Sequence, residues 1–371
     1  MLAQAFEPAQ GGGPRWTTEL AGGLADRGHD VLVLTREYDG YAGVFRPRAG
    51  LELHYLQLPT LRGSPLFGRR LVQAHVESFR PDIIQTSSPS LPDVLMPRPR
   101  RHGAPYATLF HAQLGASLPA HLIQYANLVR LKKDWAAIAV TSHYWKEWLA
   151  EHGVPEDRIR VIPSTVSRRF ADGPIAGATR AAGTVLFVGG LDRLQSYKRF
   201  DLLIEAATIL KRKHPDFAWH LDVVGDGTLR AGLQADTAAR GLEDPITFHG
   251  RASDELLHRL YSTTALVVLP SSDAREGWGL VLAEALCCGA PILLTDGIGG
   301  TRTFGAAPGA TVVPKNDATA LAEGIRARLL RGSDERDHER VAFGRQFHAT
   351  SVVESYEALY AGAIERWNER S

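Results

Sequence analysis

The stretch REGWGLVLAEALCCG, residues 275–289, sets Glu276 in a turn bracketed by glycines and places Glu284 in the apolar segment that follows. We predict that this segment is a helix starting near Gly279. The amino end of a helix offers unpaired N–H groups and a positive dipole end, which suit phosphate oxygens. The runs ALVVLP (265–270) and PILLT (291–295) predict buried strands on either side. Glu276 therefore falls at the carboxyl end of a strand, where sheets of this kind bind their ligands.

Length and composition limit the classes of protein to consider. A chain of 371 residues suggests two domains, and its net charge of +1 gives no support to a nucleic-acid partner. The only cysteines, Cys287 and Cys288, exclude a disulfide framework and favour a reducing, cytoplasmic location. We interpret them as packing residues, with a reactive thiol as the alternative. No apolar run reaches the roughly 18 residues that span a bilayer, and no signal peptide is recognisable.

Predicted strands and helices alternate in the first half, which favours a parallel sheet. Strands are predicted at 31–35, 51–58, 82–86, 106–110, 138–142 and 159–163, and helices at 15–27, 66–78 and 143–152. A further strand is expected ahead of the first predicted helix and its glycine-rich loop, but only a few residues remain for it, so either this strand is short or the sequence begins downstream of its natural start. The GGG loop before the first helix, with Gly12 and Gly13, can lie against a phosphate or sugar, or be a plain tight turn. His111 follows a strand at the rim where ligands bind, although a lone histidine is more often structural.

The second half restarts with a strand at 184–188 that runs into Gly189, Gly190 and the charged loop DRLQSYKR, residues 192–199. Lysine and arginine complement oxyanions, so this loop predicts a phosphate site, with a solvated loop as the alternative. Helix 200–213, strands 220–224 and 246–249, helix 253–262 with Ser253 as its cap, and helices 318–331 and 351–368 complete the pattern. The GDG at 225–227 is not a dinucleotide fingerprint, because Arg230 stands where the third glycine belongs.

A local basic cluster lies in the first half. Arg98, Arg100 and Arg101 are close in sequence, and Lys132 and Lys133 lie on a helix that we expect to end near Trp135. These side chains suit an anionic lipid surface, such as the inner face of the membrane, or a phosphorylated acceptor. Solvated faces are the alternative.

The chain resembles the retaining GT-B glycosyltransferases of family four, the glycosyl transferases group 1, over nearly its whole length. The signature there is a glutamate, seven residues and a second glutamate, which stand here as Glu276 and Glu284. The surrounding segment EGWGLVLAEALCCGAP is very close to the sequence usual in the family. The resemblance implies an α/β fold of two Rossmann-like domains facing a central cleft. We expect an acceptor-side domain at 1–167, a linker at 168–183, a donor-side domain at 184–350, and a final helix, 351–371, that crosses back to the first domain.

The resemblance also implies a reaction: transfer of a sugar from a nucleoside diphosphate sugar to the hydroxyl of a glycan, glycolipid or small molecule, with retention. No cofactor and no metal ion are expected. Glu276 would accept hydrogen bonds from the donor sugar, Lys198 would neutralise the leaving diphosphate, and His111 would contact the sugar. Glu284 would hold the ribose hydroxyls. The remaining donor-binding residues implied are Gly12, Gly13, Arg193, Gly225, Arg251, Gly277, Trp278, Gly279, Leu280 and Val281.

The sequence departs from the family at several positions. An arginine usually follows the glycine at the end of the strand that precedes Lys198, and this chain has Gly190 there. Either Arg193 reaches the same phosphate or Lys198 acts alone. Ala112 and Thr303 also replace residues usual in the family, which leaves the sugar and the acceptor open.

Two alternatives come from other classes of protein. A nucleotide-sugar epimerase or phosphorylase on the same architecture would release rearranged sugar or sugar phosphate without an acceptor. A non-catalytic nucleotide-sugar-binding module would not hydrolyse a donor. An NAD-dependent dehydrogenase is disfavoured, because no G-x-G-x-x-G follows a strand in the right place.

Overall fold

The computed structural model describes residues 1–3, 5–9, 12–61, 64–65, 68–86, 103–110, 128–129, 132–332 and 337–369. The chain forms two compact units. The first consists of Met1–Thr165 together with Ala349–Ser371, and the second of Val166–His348.

Before residue 165, nine strands and three α-helices of the first unit have both ends within the described residues. The strands are β1 Val31–Arg36, β2 Gly43–Arg48, β3 Leu51–Leu56, β4 Thr60–Leu61, β5 Ser64–Pro65, β6 Ile84–Thr86, β7 Tyr106–Phe110, β8 Trp135–Val140 and β9 Ile159–Val161. The helices are α1 Gly12–Asp26, α2 Arg69–Phe79 and α3 His143–Glu151.

Leu2 joins seven strands of the first unit into one sheet, whereas β4 and β5 pair antiparallel in a sheet of their own. Strands pair in the orders β1-β3-β2 and β6-β7-β8-β9, and Leu2 forms parallel bridges to Leu34 of β1 and Thr86 of β6. Within this sheet the pairing is parallel except for β2, which runs antiparallel to β3 at the edge. Alternate residues of β1 enter two different core clusters, Val33 in one and Leu32 in the other, as expected for a strand with both faces covered.

The second unit is built on a six-stranded parallel sheet. Its strands are β10 Ala181–Val188, β11 His220–Val224, β12 Ile246–Gly250, β13 Thr264–Leu269, β14 Ile292–Thr295 and β15 Thr311–Val313. Its helices are α4 Arg168–Ala171, α5 Phe200–Lys213, α6 Arg230–Ala239, α7 Asp254–Thr263, α8 Leu280–Cys287, α9 Thr301–Phe304, α10 Ala318–Leu330 and α11 Asp337–Gly344. The strand order is β12-β11-β10-β13-β14-β15, so the chain reverses its direction of winding between β10 and β13. Loops after these two strands flank the topological switch point, where doubly wound sheets bind ligands.

The last helix, α12 Ala349–Asn368, belongs to the first unit. Its buried residues, among them Val352, Tyr356 and Leu359, share a core cluster with Trp16 and Leu20 of α1. Residues far apart in sequence therefore build one core.

Several sequence predictions need correction. The segment 168–183 is not a separate linker, because it contains α4 and the start of β10 and lies in the second unit. Phe170 and Ala171 are buried in the core of the second unit, which explains why this segment packs as part of that unit. Gly12 and Gly13 lie in the first turn of α1 instead of a preceding loop, and β8 begins at Trp135 instead of residue 138. The predicted helix end near Trp135 is confirmed, because Lys132 and Lys133 are helical and a turn at Asp134 follows them.

Candidate active site

Two loops of the second unit meet at the switch point. The loop after β10 contains a 3-10 helix, Arg193–Lys198, and Asp192 caps it by accepting hydrogen bonds from the N–H groups of Leu194 and Gln195. The loop after β13 leads to α8. The backbone N–H of Ser272 donates to the carbonyl of Tyr197 at 2.8 Å, so the second loop is fixed against the first.

Lys198 and Glu276 form an ion pair where these loops meet. The ammonium of Lys198 donates to Oε2 of Glu276, and the two residues are only 9% and 8% exposed. Gly189 makes the approach possible, because a Cβ at that position would lie 2.8 Å from Cδ of Lys198. The sequence predicted both residues as site residues, and the structure brings them into direct contact.

A second cation lies beside this pair. Arg275 is held by Asp273, which accepts from its Nε and Nη2 at 3.0 and 2.8 Å, and its guanidinium lies 5.1 Å from the ring centre of Tyr197. Burial, and then the charge of Glu276, raise the pKa of Tyr197 to about 12. Lys198, Arg275 and Tyr197 line part of a cavity of about 350 Å³.

The helix α8 begins at Leu280, four residues after Glu276. Gly279 has φ +99°, a left-handed conformation that glycine adopts without steric cost, and this turn lets the helix start at Leu280. The N–H groups of Leu280 and Val281 belong to the first turn, which has no intrahelical acceptors for them. An oxyanion placed there would meet N–H donors and the positive end of the helix dipole.

Trp278, predicted as a donor-binding residue, packs its ring in the core of the second unit. Its side chain is 6% exposed, and its ring lies 4.7 Å from that of Phe304 and 5.6 Å from that of Phe347. Gly277 beside it is also buried.

Glu284 is held from a neighbouring helix. The hydroxyl of Tyr261 on α7 donates to its Oε2 at 2.9 Å, and the two residues are 0% and 5% exposed. Burial and the adjacent carboxylate raise the pKa of Tyr261 well above its usual value, which keeps the phenol a donor. Sequence reasoning missed Tyr261, because nothing in the spacing of residues 261 and 284 shows that α7 and α8 are neighbours.

Glycine contacts bring the strand ends close together. Gly225, predicted as a donor-binding residue, lies against the backbone of Gly189: a Cβ on it would be 1.8 Å from the carbonyl oxygen of Gly189. The carboxamide of Gln195 occupies the space beside Gly190, with its Oε1 accepting from the Gly190 N–H at 3.2 Å. A Cβ at Gly190 would lie 2.6 Å from its Nε2, so Gln195 stands where a larger residue at 190 would project.

The remaining predicted site residues are exposed, lie in the first unit, or fall outside the described residues. Arg193 and Arg251 are both exposed, and Arg193 does not line the cavity that contains Lys198. Gly12 and Gly13 lie in the first unit, at the amino end of α1. His111, Arg98, Arg100 and Arg101 lie outside the described residues, whereas Lys132 and Lys133 are exposed.

The two cysteines are buried in the described part of the chain. Both Cys287 and Cys288 are 0% exposed, and burial raises the pKa of the Cys287 thiol to about 12, which disfavours the thiolate. Among the described residues, His, Cys, Asp and Glu side chains do not gather in a group that could hold a metal ion. Within the same residues, every helix is too short or too polar to cross a lipid bilayer.

Comparison with known proteins gives matches in both halves of the chain. The family model described as Glycosyltransferase Family 4 matches residues 10–169, and the model described as Glycosyl transferases group 1 matches residues 178–346. A D-inositol 3-phosphate glycosyltransferase of Thermomonospora curvata is 31% identical over 62% of the chain and 58% of its own length. The chain spans about half the length of the curated relatives it matches.

Solved structures share the fold. HepE of Anabaena, solved in complex with UDP, superimposes with a TM-score of 0.71 at 14% identity, covering 96% of the chain and 98% of HepE. The sucrose-phosphate synthase of Thermosynechococcus elongatus gives a TM-score of 0.66 at 21% identity, covering 99% and 94%. The fold is therefore α/β with two Rossmann-like units, and the chain belongs to the glycosyl transferases of group 1, in glycosyltransferase family 4.

Proposed function

We propose that the chain transfers a sugar from a nucleoside diphosphate sugar to an acceptor hydroxyl with retention of the anomeric configuration. The observation that carries the proposal is the buried ion pair of Lys198 and Glu276, which lies at the switch point directly before the start of α8. A cation from the loop after β10 thus meets a carboxylate from the loop after β13, four residues before the N–H groups that begin α8.

The chemistry of the pair fits both ends of a glycosyl diphosphate. A carboxylate accepts hydrogen bonds from two neighbouring hydroxyls, so Glu276 would orient the donor sugar. The ammonium of Lys198 has three N–H donors, of which Glu276 engages one. The others, with the first turn of α8, would stabilise the negative charge that grows on the departing diphosphate.

Glu284 would hold the nucleoside. Its carboxylate is fixed by Tyr261 and lies on the same helix whose amino end would face the diphosphate. Phosphates at the start of α8 and a ribose diol further along it would match the order of these groups in a nucleoside diphosphate.

Acceptor and donor identity are proposed from relatives. The names D-inositol 3-phosphate glycosyltransferase and sucrose-phosphate synthase support a polyol or sugar acceptor, and the UDP bound to HepE supports a uridine nucleotide as donor. We expect no resident cofactor and no need for a metal ion, because Lys198 and the start of α8 supply positive charge. A cytoplasmic location, with contact to an anionic surface through Lys132 and Lys133, is also part of the proposal.

The experiment follows the anomeric proton by NMR. The purified chain is incubated with UDP-, GDP- and ADP-sugars, with and without a panel of polyol and sugar-phosphate acceptors. We expect an acceptor-dependent product with the anomeric configuration of the donor, at the same rate in excess EDTA. Glu276→Gln should lower the rate roughly 100- to 1,000-fold, the size of effect seen when one stabilising group is removed from a preorganised site.

Asp273→Asn is the matched control, since Asp273 lies on the same loop but contacts Arg275 instead of Lys198. It should keep most of the activity. An inverted product would overturn the retaining mechanism. Rearranged sugar or sugar phosphate formed without an acceptor would favour the epimerase or phosphorylase alternative, and full activity of Glu276→Gln would remove the assigned site.

A further inference from the structure

Arg180 is a buried guanidinium that the proposed chemistry does not use. It lies directly before β10, and its side chain is 9% exposed. Nη1 donates to the carbonyl oxygens of Tyr261 and Thr264 at 2.7 and 3.2 Å, Nη2 donates to the carbonyl of Cys288 at 2.7 Å, and Nε donates to Asp337 at 2.9 Å. One side chain thus binds three backbone carbonyls and a carboxylate.

A second guanidinium completes the arrangement. Arg340 on α11 is 0% exposed, and its Nε donates to the carbonyl of Gly289 at 2.7 Å. Its Nη2 donates to Oδ1 of Asp337 at 2.5 Å, whereas Arg180 donates to Oδ2 of the same carboxylate. Asp337 therefore bridges the two guanidinium groups and offsets part of their charge.

The carbonyls that these groups bind are not a random set. Cys288 and Gly289 follow the last residue of α8, where helix carbonyls lack intrahelical donors and where positive charge complements the helix dipole. Tyr261 lies on α7, and its hydroxyl is the donor that holds Glu284 on α8. Arg180 binds the backbone of the residue that orients Glu284 and also the end of the helix that carries Glu284.

We propose that Arg180, supported by Asp337 and Arg340, is a positioning residue for Glu284. Through the carbonyls of Tyr261 and Cys288 it fixes α7 against α8, so that the phenol and the carboxylate keep the geometry in which Glu284 binds the two hydroxyls of a ribose. The inference rests on the proposed function, which assigns Glu284 to the ribose of the donor. It adds three residues, Arg180, Asp337 and Arg340, that would not touch the donor but on which the preference for a ribose would depend.

The physical basis is the planar fork of the arginine side chain. A guanidinium presents five N–H donors in fixed directions and can bind carbonyls of two helices at once, whereas a lysine ammonium is a single point with three donors. Arg180→Lys keeps the charge but cannot keep all four contacts. A carboxylate displaced by about 1 Å loses much of its advantage in an oriented site.

The experiment compares the binding of UDP and of 2′-deoxy-UDP by calorimetry, using the full chain. We expect the wild type to bind UDP roughly tenfold more tightly than 2′-deoxy-UDP, the effect of one hydrogen bond to a charged group. Arg180→Lys should bring the ratio close to one by weakening UDP, with 2′-deoxy-UDP almost unchanged. Glu284→Gln should do the same, and the double variant should lose nothing more, since both changes act on one interaction.

Arg328→Lys is the matched control. Arg328 on α10 is 4% exposed and also donates to a backbone carbonyl, that of Gly332 at 2.9 Å, in a different part of the second unit. We expect this variant to lower the melting temperature and leave the ratio of the two affinities at its wild-type value. A purely structural role for Arg180 would give the same result as the control.

The outcomes separate this inference from the proposed function. If Glu284→Gln retains the wild-type ratio, or if the wild type does not distinguish the two nucleotides, the ribose role of Glu284 fails. If Glu284→Gln abolishes the ratio and folded Arg180→Lys retains it, only the positioning role fails. Asp337→Asn serves if Arg180→Lys does not fold, because the Asp337 side chain is 42% exposed; an unchanged ratio in that variant also overturns the inference.

Discussion

Lys198 and Glu276 are a charge pair whose members depend on each other. Both lie in a low-dielectric setting, where removal of one partner leaves an uncompensated charge at a cost of about 3–5 kcal/mol. Glu276 is also tied through its backbone, since its carbonyl accepts from the N–H of Gly299 at 2.9 Å. The position of the carboxylate is therefore set by two loops in addition to its own, and a change in any of them should alter the site.

The contact of Gly225 with Gly189 leaves no room for a side chain at residue 225. Gly225→Ala would place a Cβ 1.8 Å from a backbone oxygen, which cannot be relieved by a side-chain rotation. We expect the free energy of unfolding of the second unit to fall by about 1–3 kcal/mol or more. Urea denaturation followed by circular dichroism measures it.

Gly232→Ala is the matched control for the same substitution. Gly232 lies within α6, and a Cβ there would meet no heavy atom within 4 Å. Alanine is the better helix former, so this variant should be more stable than the wild type by roughly 0.5–1 kcal/mol. Equal effects of the two variants would show that the close approach of the strand ends does not limit residue 225.

Whether a contact in the site can be predicted from the sequence depends on how far apart its two residues lie along the chain. The spacing of Glu276 and Glu284 is local, and the sequence alone was enough to predict both as site residues. The pairing of Lys198 with Glu276, and that of Tyr261 with Glu284, join different loops or helices, so the partners follow only from strand order. Gln195 beside Gly190 was missed for the same reason: its place depends on the 3-10 helix that Asp192 caps.

Helices and strands could be predicted from the sequence where one of their faces, or every face, is apolar. Helix α5 has the predicted bounds, Phe200–Lys213, because seven of its residues are buried and its last turn carries basic residues that complement the dipole. Strand β2 was missed, since all its residues, Gly43–Arg48, are exposed and leave no alternation of polar and apolar positions. Strand β8 was predicted to begin at residue 138 but begins at Trp135, directly after the turn at Asp134 that follows helical Lys132 and Lys133.

Helix α12 carries a prediction for alkaline pH. Tyr356 is 0% exposed, and burial raises the pKa of its phenol above the usual value. The unfolded chain ionises this group near pH 10, whereas the folded chain keeps it neutral, so its contribution to stability is complete below pH 10 and is lost as pH rises further. Between pH 10 and 11 the free energy of unfolding of the first unit should fall by about 1 kcal/mol on account of this group.

Tyr356→Phe tests the sign and the size of this slope. The variant should lose stability less steeply above pH 10 than the wild type in denaturation curves measured from pH 8 to pH 11. Tyr144→Phe is the control, because Tyr144 on α3 is 39% exposed and we expect the wild-type slope for it. A Tyr356→Phe slope equal to that of the wild type would contradict the prediction.

At the scale of the whole molecule, each unit closes its core in a different way. The second unit is continuous in sequence, Val166–His348, and its strands extend outward from β10 on one side of the sheet and from β13 on the other. The first unit is discontinuous, and it takes its last core helix from the far end of the chain. Sequence patterns showed both sheets, because parallel strands buried on two faces are apolar runs, but they do not define which core a terminal helix completes.

Removal of residues 349–371 should therefore unfold the first unit and spare the second. The six side chains lost from its core are Val352, Val353, Tyr356, Leu359, Tyr360 and Ala363. At about 1.5–3 kcal/mol for each large side chain, the loss is on the order of 10 kcal/mol, comparable to the entire stability of a domain. Differential scanning calorimetry should show that the transition of the second unit persists and still rises with added UDP, whereas that of the first unit disappears. Glu365→Ala, an exposed change on the same helix, should leave both transitions in place. A truncated chain that retains a cooperative transition for the first unit would mean that α1 and the sheet complete their core without α12.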